Sequence, residues 1–173
     1  MSDVVPAIER LPYEVTPLNV LPEHVGISVV RTAVEIRSDL GLPEGTAQLE
    51  CRPPEHFNAS LVRNRLRVSS KPNNNGGEIV LCLGPGATLP GDCSVKTTDA
   101  NIDVVGTPDT PMHFGGMLTL RARWEPGTLP DGVRPTINVG RVVVDGALRT
   151  EAPFVQKLPP ITAGNYVMRE RNS

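Results

Sequence analysis

Arg63, Arg65 and Arg67 stand at alternate positions in the run Leu61-Val62-Arg63-Asn64-Arg65-Leu66-Arg67-Val68. Alternate residues of an extended strand share a face, so the three guanidinium groups are expected on one side, about 6.8 Å apart. That spacing suits contact with a phosphate backbone through charge alone, without any reading of bases. No aromatic residue is interleaved with them, so a base-stacking surface is not expected. Two arrangements compete with phosphate contact. One is a solvated strand face balanced by acidic neighbours; the second is Arg–carboxylate pairing across a subunit interface, where the guanidinium fork favours Arg over Lys. Arg121/Arg123 and Arg169/Arg171 repeat the spacing and would extend a basic surface if the fold gathers them.

The remaining reactive residues point away from catalysis. His24, His56 and His113 lie far apart, with no serine elbow, no cysteine at hydrolase spacing and no second histidine four residues on. His113 with Asp109 nearby is the best base-and-orienter pair, yet its setting beside Phe114-Gly115-Gly116 is that of a loop. Asp92, Asp99, Asp103 and Asp109 lack the two-residue ligand spacing and turn glycine of a calcium loop, so solvated turn carboxylates are expected. Gly84-Pro85-Gly86 is followed by neither a Lys-Ser/Thr pair nor a helix, so it is not a phosphate loop. Cys51, Cys82 and Cys93 have no neighbouring histidine ligand and cannot all pair with one another. Reduced thiols are expected, with Cys82 a small buried hydrophobe inside Ile79–Leu83. No metal, no cofactor and no enzymatic activity are expected.

The elements that must position these residues are short strands. The chain of 173 residues holds 18 prolines and 16 glycines, while 39% of it is hydrophobic. That mixture excludes a helix bundle and a coiled coil, and it is too apolar for disorder. Apolar runs are only a few residues long, so no membrane span is expected, and the start Met1-Ser2-Asp3-Val4-Val5-Pro6 shows no secretory signal. Pro6, Pro12, Pro17 and Pro22 forbid a continuous helix, which predicts an extended arm over residues 1–24.

From Val25 the texture alternates with period two: Val25/Ile27/Val29, Val34/Ile36, then Ala47–Cys51, Leu66/Val68 and the continuous run Glu78–Leu83. Later strands are expected at 93–97, 102–105, 117–124, 136–144 and 147–154, and the best helical candidate is Glu55–Leu61, one or two turns long. Turn chemistry such as Asn73-Asn74-Asn75-Gly76-Gly77 separates nearly every pair. No internal repeat and no strand–helix–strand alternation is visible. The prediction is an all-β fold, an antiparallel β-sandwich or jelly roll over residues 25–158, followed by a tail at 159–173. Charge is uneven along it: residues 1–60 hold four Lys/Arg against nine Asp/Glu, and the remainder thirteen against ten. An acidic and a basic surface are therefore expected.

The second half of the chain resembles tymovirus-type coat proteins, plant-virus jelly rolls of similar size. Four segments carry the resemblance: Glu78–Leu83 running into Gly84-Pro85-Gly86-Ala87-Thr88-Leu89-Pro90; Thr107-Pro108-Asp109-Thr110-Pro111 before Leu118–Arg123; Pro135–Val142; and Asp145-Gly146-Ala147-Leu148-Arg149 with Pro153. The match spans residues 60–158, and its order and spacing are more specific than any one segment. This chain is somewhat shorter and lacks the family's histidine ahead of the early central strand. The resemblance implies a capsid protein that self-assembles into an icosahedral shell around viral RNA, in a virion assembled in the host cytoplasm. Its partners would be copies of itself and the RNA, with no membrane, and Arg63, Arg65 and Arg67 would be the RNA contacts. The alternatives are an accessory β-sandwich of a phage particle (decoration or tail component) or a ligand-binding β-sandwich module. A sugar-binding module is disfavoured by one Trp and two Tyr in the whole chain.

Overall fold

A computed structural model describes residues 15–18, 22–72, 76–86, 88–107, 111–125, 127, 129–130, 133–157 and 161–170. In chain order the strands are β1 (Val15–Leu18), β2 (His24–Ser28), β3 (Thr32–Ser38), β4 (Ala47–Arg52), β5 (Phe57–Val62), β6 (Arg65–Ser70), β7 (Gly77–Leu83) and β8 (Thr88–Leu89). They continue with β9 (Cys93–Thr98), β10 (Ile102–Val105), β11 (Met112–Phe114), β12 (Leu118–Arg123), β13 (Thr136–Gly140), β14 (Val142–Ala152), β15 (Phe154–Lys157) and β16 (Ile161–Glu170). Sheet A has the order β1-β4-β7-β3-β10-β13-β15; sheet B runs β5-β6-β2-β9-β12-β14-β11-β8, with β16 also paired to β14. The all-β class and the two packed sheets are as the alternation predicts.

The pairing within the sheets corrects the expected antiparallel jelly roll. Both sheets are mainly parallel, because the chain coils: in each rung a strand of sheet B leads into one of sheet A, and the next turn of the coil lands beside the last. The rungs are β2–β3, β9–β10, β12–β13 and β14–β15, with β6–β7 stacked outside β2–β3 although later in sequence. Strands one full turn apart must run the same way. The antiparallel pairs are β1–β4, β4–β7 and the β5–β6 hairpin, and all lie at one end of the stack. The Pro/Gly stretches therefore serve mostly as corners between sheets rather than as hairpin turns.

Stacking aligns like residues into files. Leu66, Val25, Cys93, Leu118 and Leu148 are register partners in succession across sheet B. Leu49, Leu81, Ile36, Val104 and Val139 do the same across sheet A. All ten are buried in one apolar core between the sheets. Each large aliphatic side chain so buried contributes about 1.5–3 kcal/mol. Among the strand residues Leu66, Val68, Leu83, Leu118, Leu120, Ile137, Val139 and Val142 are buried, whereas Val80, inside the continuous apolar run, is only partly so. Val80 pairs with Glu50 and Glu35, which puts it on the outer row of sheet A.

Corners carry backbone that a straight strand cannot. Arg31, Asp99 and Arg141 adopt φ of 53°, 51° and 55° between sheets. Corner side chains also bind the next rung: Glu125 N–H donates to Asp99 Oδ1 (3.0 Å) and Thr136 N–H to Asn101 Oδ1 (2.9 Å). A second bend, within sheet B, stacks Gly91, Gly116 and Gly146. Gly146 N–H donates to the Gly116 carbonyl (3.1 Å), and a Cβ on Gly116 would lie 2.7 Å from the Gly91 carbonyl carbon. These stacked rungs are a structural repeat, contrary to the expectation of none.

The expected helix changes too, and the described parts of the two expected arms pair with the sheets. Glu55–Leu61 is not a helix: a single 3-10 turn, Pro54–His56, runs straight into β5. Of the expected arm 1–24, residues 1–14 and 19–21 lie outside the described residues, and Val15–Leu18 pairs with β4 of its own sheet. Of the expected tail 159–173, Ile161–Glu170 forms β16 beside β14, so it joins sheet B. No helix among the described residues is long and apolar enough to cross a membrane.

Candidate functional site

Period-two alternation forces every second residue of sheet B outward, and parallel register then gathers those residues into rows. One row is Arg67, Gly26, Ser94, Thr119 and Arg149; the next is Ser69, Ser28, Lys96, Arg121 and Glu151. Arg65 and Arg123 stand in flanking rows, beside His24 and Thr98 respectively. The face thus carries Arg65, Arg67, Lys96, Arg121, Arg123 and Arg149 against the single carboxylate of Glu151 in these rows. Arg121 Nε lies 3.7 Å from Glu151 Oε1, and the other five cations have no ion-pair partner among the described residues. From β6 to β14 is four strand spacings, about 19 Å. Two such cations about 10 Å apart repel by only about 0.4 kcal/mol in water, so the rigid sheet holds them together at small cost.

Sheet A carries the opposite charge, and it is largely answered on its own face. Glu50, Val80, Glu35, Asp103 and Asn138 form one outer row. Arg52 Nη2 sits 2.6 Å from Glu50 Oε1, Arg37 Nη1 sits 3.7 Å from Glu35 Oε2, and Asn138 Nδ2 donates to Asp103 Oδ1 (2.6 Å). The acidic and basic surfaces expected from the uneven charge are therefore the two outer faces, and the basic one is left open.

Arg63, Arg65 and Arg67 do not share one strand as expected. Arg63 and Asn64 adopt φ of 52° and 61° and form the two-residue turn joining β5 to β6. Positive φ at both central residues matches the right-handed twist of the flanking strands. Arg65 and Arg67 remain on the exposed face of β6, while Arg63 is exposed beyond its end. Arg121 and Arg123 do join the basic face. Arg169 is the register partner of Glu151, and Arg171 lies outside the described residues. Sequence reasoning missed Lys96 and Arg149, because each is a lone cation in an alternating strand and only the register brings it near the arginines.

The other reactive residues stay dispersed. Asp109 lies outside the described residues; His113 Nε2 instead meets Asp145 Oδ2 at 2.9 Å, an exposed pair between β11 and β14. His56 Nδ1 is 2.6 Å from the Gly76 carbonyl, and His24 Nδ1 accepts from Asp92 N–H at 3.3 Å. Asp92, Asp99 and Asp103 fall at the sheet B bend, at a corner and on sheet A, and no group of metal-ligating side chains gathers among the described residues. Cys51, Cys82 and Cys93 are buried free thiols. Burial pushes Cys51 and Cys93 up to about 12, with small further contributions from Glu50 and Asp92. Cys82 is raised by burial too, though the Arg37 guanidinium that it meets pulls the other way.

No family model and no curated protein matches the chain. Among solved structures it is similar to a candidate cell adhesion protein of Clostridium sporogenes, at 10% identity and TM-score 0.28, covering 91% of this chain and 99% of that one. It is also similar to a candidate adhesin of Bacteroides fragilis, at 9% identity and TM-score 0.27, covering 90% and 95%. Both scores are below the level at which two chains share a fold.

Proposed function

We propose that this chain is a non-catalytic structural protein that binds an extended polyanion, single-stranded nucleic acid in particular, across the outer face of sheet B. One observation carries this: five cations without an ion-pair partner among the described residues stand on one rigid sheet face. Arginine outnumbers lysine there, and its planar fork matches phosphate oxygens two at a time. No aromatic side chain stands in these rows, so contact would be to the backbone and tolerant of sequence.

Binding of a labelled single-stranded oligonucleotide at increasing salt tests it. Five phosphates neutralised at roughly 0.7 each give an expected log–log slope of about −3.5. Absent or salt-independent binding overturns the proposal, and binding confined to a sulfated polysaccharide overturns the choice of nucleic acid.

A coat protein enclosing RNA is the specific form implied by the resemblance in chain order. Its support is now the basic face rather than jelly-roll connectivity, which parallel rungs replace. Self-assembly in such a coil would use the sheet edges and the two unlike faces. Electron microscopy of the expressed protein decides this form: closed particles that contain RNA support it, and a stable monomer at high concentration overturns it.

A further inference from the structure

Gly26 stands at the centre of β2 and in the middle of the basic face, with Arg67 as register partner on one side and Ser94 on the other. Nothing in the fold asks for glycine there. Its backbone is not in the positive-φ region, and a Cβ built on it would meet nothing within 4 Å. The bend glycines are different, since Gly116 and Gly146 are pressed against neighbouring backbone. Glycine inside a strand weakens it, and where packing gives no reason, it marks a place where something else approaches the backbone.

The space over Gly26 is an open depression of about 180 Å³ whose polar lining is His24, Arg65, Arg67 and Asp92. It is smaller than the roughly 300–1,000 Å³ of a typical small-molecule site, so it suits one charged group of a larger ligand. The charges in it are unequal along its length. Asp92 sits at the His24 end, where its N–H holds His24 Nδ1 and its Oδ1 accepts from Met117 N–H (3.0 Å). Glu23 Oε1 is 3.8 Å from His24 Nε2 at that same end. Arg67 stands directly beside Gly26, away from both carboxylates.

We infer that Gly26 is the seat of one phosphodiester group of the bound strand, held by Arg67 and Arg65 and admitted because no side chain fills the floor. This rests on the polyanion proposal and gives that face an anchor point. The test is Gly26→Val, a substitution that supplies a good strand former where there is room for it. The expected result is an unchanged or higher Tm, an oligonucleotide affinity at least tenfold weaker, and a salt slope smaller by about 0.7. Amide signals of Gly26 and Arg67 should also shift on titration with inorganic phosphate in the unaltered protein. If Gly26→Val fails to fold, Gly26→Ala serves, with a smaller loss expected in the same direction. Unchanged affinity in a folded variant, while the unaltered protein binds, overturns the seat alone. An unaltered protein that binds no oligonucleotide overturns the polyanion proposal and the seat with it. A loss seen only with a sulfated oligosaccharide overturns the assignment to phosphodiester.

Discussion

The hydroxyl of Thr97 serves both backbone groups of Thr32: it donates to the Thr32 carbonyl (2.5 Å) and accepts from the Thr32 N–H (3.3 Å). Both residues are buried, at the corner where the β2–β3 rung turns from sheet B to sheet A beside the β9–β10 rung. A strand that leaves one sheet for another strands its first N–H and C=O away from either ladder. Here one side chain from the neighbouring rung closes that gap.

Thr97→Val keeps the shape and removes both bonds. The buried Thr32 groups then go unpaired, so the expected loss is about 1–3 kcal/mol for each group left without a partner. Denaturant unfolding measures it; a change below about 0.5 kcal/mol, the scale of an ordinary surface substitution, would show that the corner does not depend on this hydroxyl.

The bend within sheet B makes a second structural demand. A Cβ on Gly116 would meet Asp92 Oδ1 at 2.6 Å and the Gly91 carbonyl carbon at 2.7 Å. Backbone cannot yield as a flexible side chain can, so Gly116→Ala should cost about 1–3 kcal/mol or more. Gly127→Ala is unlike it: φ is +91° there, yet a Cβ meets nothing within 4 Å, so the cost is conformational alone. Thermal unfolding of the pair separates crowding from strain, and equal effects would sink the stacked-bend account.

The sidedness of the strands was legible because it is local. Val25/Ile27 and Leu66/Val68 show which face is buried whatever their partners are. Strand direction is not local: a period of two buries the same residues in parallel and in antiparallel pairs. The repeat was hidden by uneven corners, since the equivalent bend glycines 91, 116 and 146 are 25 and 30 residues apart. Arg63-Asn64 continued the alternation of its neighbours and so looked like strand, although Asn64 is a residue type that accepts positive φ. The basic face was half legible, as pairs of arginines; its assembly from β6, β9, β12 and β14 depends on register between strands far apart in sequence.

The thiols predict a dependence on alkali. In the folded state burial holds Cys51 and Cys93 near 12, above the roughly 8.5 of an exposed thiol. Between those values the unfolded chain has released its protons and the folded chain has not, so stability must fall as pH rises. It is fully present below about pH 8.5 and declines by up to about 1.4 kcal/mol per pH unit for each thiol. Cys93→Ala should flatten the decline between pH 9 and 11 in chemical unfolding. At pH 8 the native protein should react slowly with a thiol reagent, and all three cysteines should react once it is unfolded. Fast labelling of Cys93 in the native state would contradict its burial.

Arg63 and Arg67 were alike in the sequence and differ in the fold, which gives a paired test of the basic face. Arg67 stands in the row with Gly26 and Arg149, has no ion-pair partner among the described residues, and supports no corner or cap. Arg67→Gln should therefore leave stability within about 0.5 kcal/mol, as an exposed strand substitution does. It should lower oligonucleotide affinity and reduce the salt slope by about 0.7, one phosphate's share. Arg63 sits in the hairpin turn at φ of 52°, where a long side chain is poorly suited and asparagine is favoured. Arg63→Asn should raise Tm by a degree or two or leave it unchanged, and it should keep the salt slope. Circular dichroism and fluorescence anisotropy on the two variants read both quantities. If Arg63→Asn cuts the slope as much as Arg67→Gln does, the nucleic acid runs along the β5–β6 hairpin and off its tip, and the face across β6 to β14 is not its path.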